Sequence, residues 1–348
     1  MKVLITRFRS DLLPIDILSK ILDDSFDMDK VQATKKNIIK KIIHIFKHRK
    51  EYDKAILISG PEWYPYIVSR ILSKKTEIIF FPYDIYHFRP KNRELIQRIF
   101  TNIVRLPCEK LCFLKADKII HKGLENELEF LTFYEKIKEK PHYLFKEFLD
   151  KDLCYDYDSR IKLSKKDGEI HLVYVGGLYL KNLVEAESFW KLYPKITRQK
   201  LHLHIYSRQS PKIIKKFRMI EKKDPYFHYE GFREPKELIK EIRRYDYGIE
   251  FFGGTINENY LILKVGFSNK LFDYIAASLP IVVSKNLEVI SEFVLKNDFG
   301  IIVNYNSIGN LFNKLKNVNY YEKINKIKKN RNKFTSSKLV SFLDKKYN

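Results

Sequence analysis

The stretch Ser268 to Ser284, SNKLFDYIAASLPIVVS, brings together residue types that suit a nucleotide. Ser268 or Asn269 can cap a helix whose first turn carries Lys270 and Asp273; Leu279-Pro280 then ends it and a buried strand follows. Free backbone N–H groups and the helix dipole at such a start favour a phosphate. Lys270 adds a point charge for it, and Asp273 can accept hydrogen bonds from two ribose hydroxyls. The same pattern also fits a plain surface helix with an amino-terminal cap.

The string closely resembles the nucleotide-sugar signature of the group-one (family four) retaining glycosyltransferases, in which Asn-Lys-Leu-Phe-Glu-Tyr, Ala-Gly-Leu-Pro and a Val-rich strand follow in the same order. The resemblance implies that Asp273 holds the ribose and that Asn269, Lys270 and Leu271 lie nearest the phosphates. Asp273 replaces the usual Glu and Ser278 the usual Gly. Many members carry a second Glu eight positions earlier; here that position is Val265, which passes the sugar contact to Glu258 or Glu250.

Upstream, VYVGGLYLKN (Val173 to Asn182) resembles the family's strand, Gly-rich turn and Lys. Gly176 and Gly177 would let a diphosphate approach the backbone and Lys181 would neutralise it, although a Gly-Gly pair is also ordinary turn chemistry. Members with an Arg after the first Gly have Gly177 here, and Arg208 is the substitute cation. Tyr229 to Tyr245 followed by Asp246 to Ile249 matches the family's Gly, loop, helix and Asp-bearing strand, with Gly231 and Phe232 flanking the base. In the amino-terminal half the resemblance rests on the first strand, Lys54 to Ser59, FPYDIYH and ADKIIHK. It implies Asp84 and His87 near the reacting centre and Arg7 and Arg9 for an anionic acceptor; a solvated loop position fits His87 equally.

The elements that must position these residues follow from hydrophobic periodicity. Strand-like runs at MKVLIT, Lys54 to Ser59, Glu77 to Phe81 and Lys118 to His121 alternate with helical periods at Ile38 to Phe46 and Leu95 to Val104. A second alternation has strands at Ile170 to Val175, Leu201 to Tyr206, Phe227 to Tyr229, Tyr247 to Phe251, Ile281 to Ser284 and Gly300 to Val303. Helices at Glu234 to Tyr245 and Asn269 to Ala277 fall between them. Apolar strands alternating with amphipathic helices predict an α/β protein of two doubly wound, Rossmann-like domains, and the resemblance adds the GT-B arrangement, facing across a cleft. The expected division is an acceptor domain over 1–150, a linker over 151–168, a nucleotide-sugar domain over 169–332 and a helix over 333–348 that returns to the first domain.

At 348 residues and 45% hydrophobic composition, two ordered domains are expected and a disordered chain is excluded. The three cysteines, Cys108, Cys112 and Cys154, have no metal-ligand pattern, and the opening residues no secretion-signal pattern; a reducing cytoplasm is expected. No apolar run approaches the ~20 residues of a membrane span.

The net charge of +23 favours an anionic partner: nucleic acid, acidic lipid or phosphorylated substrate. The basic segment Lys35 to Arg49, with its Ile and Phe face, reads either as a core-facing helix or as a dock for an anionic membrane. The leading expectation is a cytoplasmic, peripheral glycosyltransferase. It would move a sugar from a nucleotide-diphosphate sugar to a glycan or lipid-linked acceptor in polysaccharide or glycoconjugate synthesis. The resemblance implies retention of configuration; Lys181, Lys270 and the helix dipole can neutralise the departing diphosphate, so no metal or other cofactor is expected, and with no recognition-helix, zinc or RNA-binding aromatic motif no nucleic-acid partner is expected. The competing readings are a basic nucleic-acid-binding protein and a non-catalytic GT-B sugar-nucleotide binder.

Overall fold

The computed structural model of the chain describes residues 1–8, 18–22, 25–60, 63–83, 85–88, 99–123, 125–146, 149–178, 183–251, 261, 265–335 and 338–345. Two compact units emerge. One comprises Met1–Glu147, Asn257–Phe267 and Ser337–Asn348; the other comprises Phe148–Ile256 and Ser268–Ser336. The stretch 151–168 is thus part of the second unit rather than a separate linker, and three short helical turns occupy it, the last being Ser164–Asp167.

The first unit is built on six parallel strands: β1 (Lys2–Phe8), β2 (Asp27–Ala33), β3 (Lys54–Ile58), β4 (Glu77–Phe81), β5 (Lys118–His121) and β6 (His142–Leu144). They lie in the order β2-β1-β3-β4-β5-β6. The inner strands read KAILI, EIIFF and KIIH because helices cover a parallel sheet on both faces. At the edges that demand relaxes, and DMDKVQA and HYL form strands that periodicity does not announce. Strand β1 runs past the expected MKVLIT to Phe8, so Arg7 is a buried strand residue.

Within this unit the helix Leu339–Asp344 buries Leu339 and Leu343, and the Phe342 ring lies 5.3 Å from that of Tyr143. The last carbonyls of a helix have no partner of their own. Here the buried Lys118 ammonium donates to the carbonyls of Phe342 (3.1 Å), Leu343 (2.9 Å) and Lys345 (2.6 Å), and it pairs with Glu77 at 2.9 Å. One β5 side chain therefore caps the helix. Replacing it by Lys118→Met strands three carbonyl acceptors, while Glu77 keeps its pairing with Lys54, and is expected to cost about 3 kcal/mol. Urea unfolding checks the loss, and limited proteolysis should show earlier cleavage after residue 337.

The second unit also has six parallel strands: β7 (Ile170–Val175), β8 (Leu201–Tyr206), β9 (Phe227–Gly231), β10 (Tyr247–Glu250), β11 (Ile281–Ser284) and β12 (Gly300–Val303). Their order is β12-β11-β10-β7-β8-β9, which reverses direction between β7 and β10. Sheets of this kind bind ligands beyond the strand carboxyl ends at such a reversal. One face packs Leu172, Leu203, Ile205 and Phe227 against Phe189 and Phe217 of the helices Leu183–Thr197 and Pro211–Glu221. The other face is polar near β8.

Candidate functional site

At the reversal the β7–β10 ladder covers only Leu172 with Tyr247 and Val173 with Gly248. Beyond those pairs the hydroxyl of Tyr274, on the helix Lys270–Ala276, takes the place of the missing ladder. It accepts from the Val175 N–H at 3.2 Å and donates to the Ile249 carbonyl at 2.9 Å. The ring lies flat against Gly248, where a Cβ would come within 2.3 Å of it. Tyr274 and Gly248 were not singled out from sequence; the signal was a glycine inside an otherwise apolar buried strand.

This seating brings the expected helix to the carboxyl ends of β7 and β10. Lys270 lays its aliphatic stem over Gly176, where a Cβ would meet its Cε at 3.0 Å; Gly176 has φ +98°, a conformation that favours glycine. Its ammonium lies 3.2 Å from Glu250 Oε1 and 4.8 Å from the centre of the Tyr174 ring. The Tyr174 hydroxyl donates to the Gly177 carbonyl at 2.9 Å, so the same ring also fixes the turn. Glu250 is buried, and its second carboxylate oxygen has no hydrogen-bond partner among the described residues.

Burial works to lower the Lys270 ammonium, but Glu250 and Tyr174 overcome it and hold it above the ordinary lysine range. Burial is also the main cause acting on Asp273; Lys270 opposes it, Glu250 adds to it, and the carboxyl is pushed up to about 7. Two acids thus share one lysine on a glycine floor. Such a group can present a cation to phosphate and a carboxyl to hydroxyls.

The remaining expected residues divide as follows. Gly231 ends β9 with φ +83°, and a register shift at Ile205/Tyr206 accompanies it. Phe232 is exposed beside it with the Arg208 guanidinium 4.0 Å from its ring centre. Arg208 follows the carboxyl end of β8 and Gly231 closes that of β9, on the same edge of the sheet as Gly176 and Glu250. Leu271 is fully buried, so only its backbone faces outward chemistry. Asn269 has helical backbone angles and makes no capping hydrogen bond, contrary to the expected cap; the helix begins at Lys270 and runs seven residues.

Val265 is buried in the core of the first unit, among Phe80, Ile119 and Leu128 in the same cluster, which is why an acid is absent there. His87 is tied down: its Nδ1 lies 2.5 Å from Glu109, which also accepts the backbone N–H groups of Tyr86 and His87. Its ring packs 5.1 Å from Phe133, so it is not a solvated loop residue. Asp84, Arg9, Lys181 and Glu258 lie outside the described residues. Of the three cysteines, Cys112 is buried and Cys108 and Cys154 are partly so.

The two six-stranded parallel sheets share their fold with solved GT-B glycosyltransferases. More particularly, residues 179–341 match the family described as glucosyltransferase 3-like, C-terminal domain. Solved structures with the same fold include OtsA (TM-score 0.63, 11% identity, 100% of each chain covered). An alpha-glucosyltransferase in complex with UDP and a 13-mer DNA matches at TM-score 0.61 and 11% identity over 99% of this chain and 94% of that one. WaaG, a glycosyltransferase involved in lipopolysaccharide biosynthesis, matches at 0.60 and 12% over 98% and 97%. TarM matches at 0.57, but this chain spans 58% of its length. Comparison with curated protein sequences gives no match.

A carboxyl raised from its ordinary value of 3.8 to about 7 binds a proton more tightly folded than unfolded. The stability it contributes is present in acid and is lost as pH rises from about 4 to about 7. Asp273→Asn is therefore expected to match wild type near pH 4 and to be more stable at pH 8. Urea unfolding at the two pH values checks it.

Proposed function

We propose that the chain transfers a sugar from a nucleoside-diphosphate sugar to a glycan or lipid-linked acceptor, with retention of anomeric configuration and without a metal at the reacting centre. The observation that carries this reading is the Lys270–Glu250–Asp273 group on the Gly176 floor at the sheet reversal. The diphosphate would lie against Gly176 and Gly177 and draw Lys270 away from Glu250. Asp273 would hold the ribose hydroxyls, and Phe232 with Arg208 would border the base. Freed of Lys270, Glu250 would present its buried oxygens toward the sugar, the contact that Val265 does not supply.

The bond between the anomeric carbon and the diphosphate oxygen breaks as the acceptor oxygen attacks from the same face. The acceptor proton passes to the departing diphosphate, and Lys270 offsets the charge that develops there. No protein nucleophile enters the sequence. On the acceptor side, Arg7 and His87 are the described candidates.

Lys270→Ala and Asp273→Ala should each lower transfer roughly 100-fold or more while leaving the circular-dichroism spectrum unchanged. Rates with and without added Mg²⁺ should be equal. A thermal-shift screen of UDP- and GDP-sugars should give one donor that raises the wild-type melting temperature and does not raise that of either variant. Full activity in both variants would overturn the assignment. A shift with duplex or single-stranded DNA and none with a sugar nucleotide would favour the nucleic-acid reading.

A second observation favours a membrane-borne acceptor. In the helix Ile38–His48 only Ile45 is buried, while Ile39, Ile43 and Phe46 are 73%, 48% and 48% exposed on one face. Exposed Lys35, Lys36, Lys40 and Lys47 surround them. A basic rim about an apolar stripe suits an anionic interface, and no helix among the described residues is long and apolar enough to cross a membrane. The chain should float with vesicles containing acidic lipid, and the triple change Ile39→Ser, Ile43→Ser, Phe46→Ser should abolish flotation. Absence from acidic vesicles at every salt concentration would remove the membrane reading.

A further inference from the structure

The polar face of the second sheet carries four histidines that the sugar-transfer chemistry does not use. His171 on β7, His202 and His204 on β8 and His228 on β9 share that face, because His171 pairs in register with His202, and His204 with His228. The rings of His171 and His202 stack at 4.3 Å, as do those of His204 and His228. These residues sit along the strands, whereas the donor group lies past the strand carboxyl ends.

Three of the four imidazoles are anchored through one nitrogen to a carboxylate. His171 Nε2 lies 2.9 Å from Asp167, His202 Nε2 2.7 Å from Glu169 and His204 Nδ1 2.8 Å from Glu230. Each then turns its other nitrogen inward. His171 Nδ1 and His204 Nε2 face each other at 2.9 Å, and His202 Nδ1 faces His228 Nε2 at 2.9 Å. A carboxylate behind each ring, fixing its tautomer and raising its basicity, is the outer shell of histidine metal sites.

Counting protons separates the two facing pairs. A neutral imidazole carries one N–H. In the His202–His228 pair, His202 gives its proton to Glu169 and accepts that of His228, so neutral rings satisfy both bonds. In the Asp167–His171–His204–Glu230 chain, both rings spend their protons on the carboxylates. The lone pairs of His171 Nδ1 and His204 Nε2 then face each other at 2.9 Å, and either one extra proton or a metal cation must hold them together.

We propose that His171, His202 and His204 bind one divalent transition-metal ion of the zinc class. Their ligand atoms already lie within 4.8 Å of one another. Imidazole nitrogen selects zinc, cobalt, nickel or copper over magnesium and calcium, which take oxygen. Zn–N bonds of about 2.0–2.1 Å set tetrahedral ligands about 3.3 Å apart. The 2.9 Å gap must therefore open by a few tenths of an ångström and the His202 ring must tilt inward, pivoting on Glu169. His228 Nε2 or a water completes the shell. Three carboxylates surround the site, and Arg244, 3.3 Å from Glu230, offsets part of their charge, leaving room for a dication. The ion would tie β7 to β8 and take no part in sugar transfer.

The test uses the full chain, free of any affinity tag and stripped with a chelator that is then dialysed away. Co²⁺ titration should give ligand-field absorption at one ion per chain, without the near-ultraviolet thiolate band that Cys108 and Cys112 would produce, and Zn²⁺ should displace it. Zn²⁺ should raise the wild-type melting temperature. His171→Gln and His204→Gln should lose binding, and Glu230→Gln should weaken it roughly ten-fold or more. Should the buried variants fail to fold, the less buried His202→Gln and the wild-type Co²⁺ spectrum decide the matter. A wild-type chain with no Co²⁺ spectrum and no Zn²⁺ stabilisation overturns the proposal and leaves a proton in the gap, and so does undiminished binding in the folded His variants.

Discussion

Two central strands that separate must still satisfy their backbone groups, and here one phenolic hydroxyl meets that demand. A buried N–H or carbonyl without a partner costs roughly 1–3 kcal/mol, so a crevice cannot open inside a sheet at no cost. Tyr274 accepts from one strand and donates to the other, which lets β7 and β10 diverge and holds the gap at a fixed width. Everything in the donor group follows from that seat. Lys270 reaches Glu250 and Gly176 because Tyr274, one turn later on the same helix, is pinned between the strands. Gly248 is the concession that admits the ring.

The chain spends its large positive charge in two ways. Most lysines stay at the surface, where the apolar and basic faces of the helix Ile38–His48 lie side by side. A few turn inward and take acceptors with them: the buried Lys118 under the helix Leu339–Asp344, the buried Lys162 on the Tyr245 carbonyl and the half-buried Lys270 on Glu250. For Lys162, burial lowers the ammonium to about 8, whereas Lys270 has a carboxylate and an aromatic ring to hold it charged. A lysine kept charged in an enclosed place suits a ligand that is itself charged.

How much of this was legible varies with the physical cause. Strands buried on both faces, such as KAILI and IHLVYV, announce themselves because covering helices leave no polar position. The edge strand DMDKVQA does not, since half of it meets solvent. The helix at Lys270 was readable from its residues, but its missing cap was not, because Asn269 is held in helical geometry. Tyr274 was hidden by its ordinary look within an apolar run. The histidines were visible as LHLHIY, yet alternation says only that they share a face. What they meet there depends on residues 167, 169, 228 and 230, which only pairing of the strands brings beside them.

The first unit is interrupted in sequence: it is made of residues 1–147, then 257–267, then 337–348, with the second unit inserted between. During synthesis the ribosome releases the second unit's strands before the helix that Lys118 caps exists. Until residues 339–345 emerge, the ammonium on β5 lacks its three carbonyl acceptors, and the surface that Leu339 and Leu343 bury themselves in stays uncovered. Domains tend to fold as they are made, but here the later-starting unit can be complete first. The sheet of the first unit must wait, partly uncovered, for the helix Leu339–Asp344.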